Sequence, residues 1–143
     1  MITYQNADIR SILNGLGYRS RLNTNDPDFP VSLDNSDLTD APTQKALMKF
    51  QVDYNLPITG IADDATLLAM QEEINVLHNE LNQLLGTTIP LDQPFYGDQT
   101  IAAIKQFQNY TVNGAYVTID GLASFPLREE LYTTLNPEVP VAV

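Results

Sequence analysis

At 143 residues the chain has room for one ordinary domain or two very small ones. It contains no cysteine, which excludes disulfides and thiolate metal sites. A formal charge of −11 sets its surface against phosphate backbones and anionic lipid, so neither nucleic acid nor a membrane surface is an expected partner.

The opening residues, Met1 to Asp8, have no basic flank and no apolar stretch, so no signal peptide is expected, and no apolar run is long enough to span a bilayer. Ile9, Ile12, Leu13 and Leu16 then fall at helical spacing and predict a short helix over 8–16. The stretch from Arg19 to Leu38 is dense in Asn, Asp and Pro and reads as loop, with Phe29, Val31 and Leu33 as a brief extended piece.

A second helix is predicted over 40–54. Asp40 or Thr39 suits its N-cap, Pro42 its first turn, and Ala46, Leu47, Phe50 and Tyr54 its buried face. The third and longest runs from Asp64 to Leu85 with Gly86 at its end, about 30 Å of helix. A fourth covers 98–110. Asn113-Gly114 marks a β-hairpin over 112–119, and a last short helix covers 127–135 before an extended tail.

Two of these helices repeat one another. Thr43 to Gln51 and Thr100 to Gln108 both read Thr-x6-Phe-Gln, and each is followed by Gly-Ile-Ala (Gly60 to Ala62) or Gly-Leu-Ala (Gly121 to Ala123). A doubled pattern of this kind decides architecture before any local reading does.

The pattern resembles the peptidoglycan-binding-domain-like family, a small three-helix module. In the second copy Tyr96-Gly97, Thr100, Ile104, Phe107, Gln108 and Asp120-Gly121 carry the resemblance. In the first copy it rests on Thr43, Leu47, Phe50, Gln51, Leu56-Pro57-Ile58-Thr59-Gly60-Ile61 and Thr66. Asp98 replaces the family's Pro, and Asp40 and Ala41 replace its Gly-Pro. The resemblance covers about residues 8–70 and 74–135. It implies a mostly α fold of two tandem three-helix units, 1–73 and 74–136, sharing the long central helix, with a minor β-hairpin and a tail at 137–143.

In that family such modules bind cell-wall glycan or peptide in a shallow groove. The expected function is therefore non-catalytic binding of peptidoglycan or a related glycan. The alternative is a structural or adaptor subunit of a larger assembly, such as a phage virion, with protein subunits as partners. No cofactor is expected. Without a signal peptide or membrane span, the chain is expected in the cytoplasm or a virion, acting at the envelope if it binds wall.

Individual residues sharpen these readings. Phe50 and Phe107 lie on the apolar stripes and are expected in the core. Gln51 and Gln108 either hydrogen-bond an N-acetyl or peptide group or tie down the Gly60 and Gly121 turns. His78 is the only histidine, and metal hydrolysis normally takes two or three imidazoles, so no zinc amidase is expected. The acidic pairs Asp26/Asp28, Asp34/Asp37 and Asp63/Asp64 suit turns and caps better than calcium.

If the chain binds glycan, the groove is expected where the Thr43 and Thr100 helices begin. Their free N–H groups suit carboxylate and acetamido oxygens, with Asp40 and Asp98 competing as caps. Tyr54 and Tyr96 would stack on a sugar ring. The candidate ligand-binding residues are thus Asp40, Thr43, Gln51, Tyr54, Tyr96, Asp98, Thr100 and Gln108.

Overall fold

The computed structural model describes residues 2–18, 33–110 and 119–137. Most of them lie in five helices: α1 (Asn6–Gly15), α2 (Ala41–Asp53), α3 (Asp64–Leu85), α4 (Asp98–Tyr110) and α5 (Phe125–Leu135). No strand occurs among the described residues. The expected hairpin lies almost wholly at 111–118, outside the described residues. So do Phe29 and Val31 of the expected extended piece, and all of the tail beyond Pro137.

The helix ends follow from local chemistry. Asp40 caps α2 by accepting the Thr43 N–H at 3.3 Å, and Asp63 caps α3 by accepting the Thr66 N–H at 3.0 Å. Helix α1 starts earlier than its apolar spacing predicted. Gln5 is its N-cap, and Asp8 sits one turn in, where its carboxylate accepts the Gln5 N–H at 2.8 Å. Helix α5 likewise begins at Phe125, because Pro126 is tolerated in a first turn.

Helices α1 and α2 end alike. The Tyr18 N–H reaches the Leu13 carbonyl and the Leu56 N–H reaches the Gln51 carbonyl, both at 2.9 Å. Such a closure satisfies a last-turn carbonyl and folds the following side chain back onto the helix. Tyr18 is thereby buried and Leu56 half-buried against the core.

Among the described residues, an apolar cluster joins all five helices. Ile12 and Leu13 of α1, Leu47 and Phe50 of α2, and Met70, Ile74, Leu77 and Leu81 of α3 are buried in it. So are Ile104 and Phe107 of α4, and Leu127 and Leu131 of α5. Each such side chain contributes about 1.5–3 kcal/mol of burial. Helix α3 packs on both α4 and α5, while α1 packs on α2. The division expected at residues 73 and 74 therefore falls inside α3 and inside a single core.

The end of α1 also interlocks with the segments that flank α4. Gly15 O accepts the Ala123 N–H at 2.6 Å. The Tyr96 ring lies flat against Gly15, where an added Cβ would sit 2.4 Å from Tyr96 Cγ. Only glycine admits that ring.

Candidate functional site

The start of α2, one half of the expected groove, is occupied from within by Arg10 of α1. Arg10 is fully buried, and its guanidinium donates to the backbone carbonyls of Asp34, Ser36 and Asp37 at 3.0, 2.6 and 2.9 Å. It also reaches Asp40 Oδ1 at 2.5 Å, and its Nε lies 3.4 Å from Thr43 Oγ1. Thr43 is buried, and its hydroxyl donates to Asp40 at 2.8 Å. Burial pushes the Asp40 carboxyl up, but the Thr43 and Arg10 hydrogen bonds outweigh it and hold the group below its ordinary value. Asp40 and Thr43 thus anchor the loop before α2.

Gln51 and Gln108 tie down the turns. Gln51 is buried; its Oε1 accepts the N–H groups of Thr59 and Gly60, both at 3.0 Å, and its Nε2 reaches Ile61 O at 2.9 Å and Thr66 Oγ1 at 3.0 Å. Gln108 does the same work: Oε1 accepts the Gly121 N–H at 3.0 Å, and Nε2 donates to Asp120 at 2.9 Å. Both glycines stand at positive φ, 70° and 74°, where a Cβ is strained. Of the two roles open to these glutamines, the structure shows the turn clamp.

At the start of α4, Thr100 is buried. His78 Nε2 lies 2.7 Å from its hydroxyl, which donates to Phe95 O at 3.2 Å. Burial holds the His78 imidazole below its ordinary 6.5, against the pull of the Pro90 and Phe95 carbonyls. Tyr96, expected to stack on sugar, is instead buried, with its hydroxyl donating to Gly121 O at 2.6 Å. Asp98 is exposed in the first turn of α4 and lines a small cleft of about 170 Å³ with His78, Pro90 and Phe95.

Tyr54 is the expected site residue that does line a sizeable groove. Two depressions meet over Tyr54, Glu73 and Val76. One, of about 450 Å³, is walled by Leu56, Ala65, Leu68 and Ala69; the other, of about 540 Å³, lies between α3 and α5 and is walled by Asp53, Glu80, Phe125, Glu129 and Tyr132. Phe125 and Tyr132 expose 55% and 61% of their surface there. Volumes of this order suit a ligand of a few residues or sugar rings.

Arg128 of α5 forms the groove floor. Its Nη1 donates to Tyr54 Oη at 2.6 Å and to Glu73 Oε1 at 3.2 Å, and its Nη2 to Leu16 O at 3.4 Å. The Tyr54 ring stacks on Phe50 at 4.3 Å, and burial pushes its hydroxyl pKa up. Tyr18, whose hydroxyl donates to Asp53 at 2.7 Å, is pushed up to about 12, chiefly by burial. Glu80 is also raised, first by burial and then by the like charge of Glu73.

Sequence reading missed Arg10, Glu73, Phe125, Arg128 and Tyr132. Local pattern marks none of them: Arg10, Glu73 and Arg128 acquire their roles from partners on other elements, and Phe125 and Tyr132 from lining the groove between α3 and α5. Among the described residues, no group of three or more His, Cys, Asp or Glu side chains is placed to hold a metal ion. No helix there is long and apolar enough to cross a membrane.

No curated protein and no solved structure matches the chain. Residues 7–70 match the model of the family described as "putative peptidoglycan binding domain". That segment takes in α1, α2 and the start of α3, with Arg10, Asp40, Thr43, the Gln51 clamp, Tyr54 and the Leu56–Ala69 wall of the groove.

Proposed function

We propose that the chain is a non-catalytic peptidoglycan-binding protein whose ligand lies in the groove over Tyr54, Glu73 and Val76. The observation that carries this reading is the family match over 7–70, since one wall of that groove belongs to the matched segment. The non-catalytic part rests on chemistry. His78 is the only imidazole, it is buried, and it is already engaged with Thr100.

The proposal includes a second copy of the unit in residues 74–136. Three correspondences support it. Arg10–Thr43 and His78–Thr100 pair helix to helix; Gln51–Gly60 and Gln108–Gly121 clamp turn to helix. The segments Ile9 to Leu16 and Leu77 to Leu84 align with Leu13-Asn14 on Leu81-Asn82. In this reading the copies are fused through α3 and no longer bury separate cores.

Sedimentation with insoluble peptidoglycan at moderate salt tests the function. The protein is expected in the pellet; retention in the supernatant refutes the reading. The exposed rings of Phe125 and Tyr132 also suit a protein partner, as the assembly-subunit alternative requires. Failure to pellet with wall, together with a stable complex with another protein, would favour that alternative.

A further inference from the structure

We propose that the cleft at the start of α4 binds a secondary amide, the acetamido group of an N-acetylated wall sugar. The source of that group rests on the wall-binding reading. The cleft itself shares no lining residue with the groove over Tyr54. Two buried polar groups without a partner, one donor and one acceptor, belong to residues that line it.

The donor is the N–H of Thr100. Helices α2 and α3 both open Asp-x-x-Thr, and the Asp40 and Asp63 carboxylates accept the N–H of Thr43 at 3.3 Å and of Thr66 at 3.0 Å. Helix α4 opens Gly97-x-x-Thr100 instead, and glycine has no side chain with which to accept. Thr100 is 1% exposed, and neither its N–H nor that of Gln99 makes a hydrogen bond among the described residues.

The acceptor is Nδ1 of His78, which is also 1% exposed and lines the same cleft. The Thr100 hydroxyl gives its proton to Phe95 O, so the 2.7 Å contact between Thr100 and His78 places the ring proton on Nε2. Nδ1 of that neutral ring presents a lone pair. It has no hydrogen-bond partner among the described residues, although the Pro90 and Phe95 carbonyls lie near enough to act on the ring. A buried polar atom left in this way is uncommon.

An acetamido group complements both. Its carbonyl accepts from Thr100 N–H, its N–H donates to Nδ1, and its methyl meets the apolar sides of Ile89, Pro90 and Phe95. A cleft of about 170 Å³ has room for such a group. A carboxylate fits less well: it brings no N–H to Nδ1, and it meets the exposed Asp98 carboxylate in the first turn.

Nuclear magnetic resonance on the full chain, titrated with the methyl glycosides of N-acetylglucosamine and of glucose, tests the site. The acetylated sugar is expected to move the Thr100 N–H and His78 Nδ1 resonances saturably, with glucose binding about tenfold more weakly. Gly97→Asp supplies the carboxylate that α2 and α3 carry, and a Cβ at this position meets no atom within 4 Å. It should weaken sugar binding by about tenfold while raising the urea midpoint, as a restored cap does.

Equal binding of the two sugars overturns the acetamido assignment, and so does undiminished binding in Gly97→Asp. If a sugar-free stem peptide moves the same two resonances as strongly, the amide is a peptide bond and the sugar source is overturned. Sedimentation keeps the broader reading separate. Wall that pellets the protein, with both resonances fixed in the acetylated sugar, refutes the site and leaves wall binding standing. Resonances that move with the sugar, in a protein that wall does not pellet, refute the wall as its source and support the cleft. If neither occurs, both fail.

Discussion

Replacing Gln51 with Leu isolates what one buried amide contributes to the fold. The substitution keeps apolar bulk but removes an acceptor from two N–H groups and a donor from Ile61 O and Thr66 Oγ1. Thr59 is exposed, so its N–H returns to water; Gly60 is buried, so its N–H is left orphaned. An orphaned buried donor costs about 1–3 kcal/mol, and each of the other lost bonds about 0.5–1.5 kcal/mol. The expected loss is therefore about 3 kcal/mol. With a urea slope of about 2 kcal/mol/M, the midpoint falls by about 1.5 M. Amide exchange adds a local readout: the Gly60 N–H should lose its protection while buried core amides of α3 keep theirs until global unfolding. A loss below about 1 kcal/mol, or an unchanged Gly60 exchange rate, would show that the turn holds itself without the clamp.

Three further outcomes follow from other contacts. Gly15→Ala should destabilise by more than about 2 kcal/mol, because its Cβ lands on the Tyr96 ring, and much of that loss should disappear in a Gly15→Ala/Tyr96→Leu double variant. Additive denaturation energies would refute the clash. The His78 ring resonances should titrate with a midpoint below 6.5, since burial disfavours the cation. The unfolded chain then binds more protons than the folded one just below 6.5, so stability falls as pH drops through that value; a midpoint at or above 6.5 refutes this. Asp40, held below its ordinary 3.8, contributes stability above that value and loses it as pH falls through the lower folded pKa. Asp40→Asn should accordingly flatten the acid limb of a stability–pH curve, and an unaltered limb would count against the Arg10–Asp40 anchor.

The helices were legible because their signals are local. Apolar spacing, Asp40 and Asp63 at N-caps and Gly86 at a C-terminus are all read within one or two turns, and α2, α3 and α4 lie where that spacing put them. The two phenylalanines were legible as core for the same reason. Asp40, Thr43 and Thr100 were placed correctly at helix starts, yet their partners were invisible. Arg10 lies 33 residues before Thr43, and His78 lies 22 before Thr100. Tyr96 looked like a surface ring because nothing adjacent reveals that Gly15, distant in sequence at the end of α1, leaves a bare backbone for it to cover. The groove was hidden for a similar reason: its floor joins Arg128 to Tyr54 across 74 residues. Only Tyr54, at the end of a helix whose stripe is visible, carried a signal that led there.

The seal between Gly15, Tyr96 and Ala123 limits how portable the matched segment is. Cut out after residue 70, it would lose most of α3, and the ring and strand of backbone that close the end of α1 would go with it. Gly15 O would then lose the Ala123 N–H, Leu16 O the Arg128 guanidinium, and the Tyr18 ring the cation beside it. Grafted onto another protein as a wall-targeting tag, such a piece should aggregate, whereas the intact chain should transplant as one cooperative body. What is recognised as a unit by pattern is here smaller than what folds as a unit, and engineering has to respect the larger of the two.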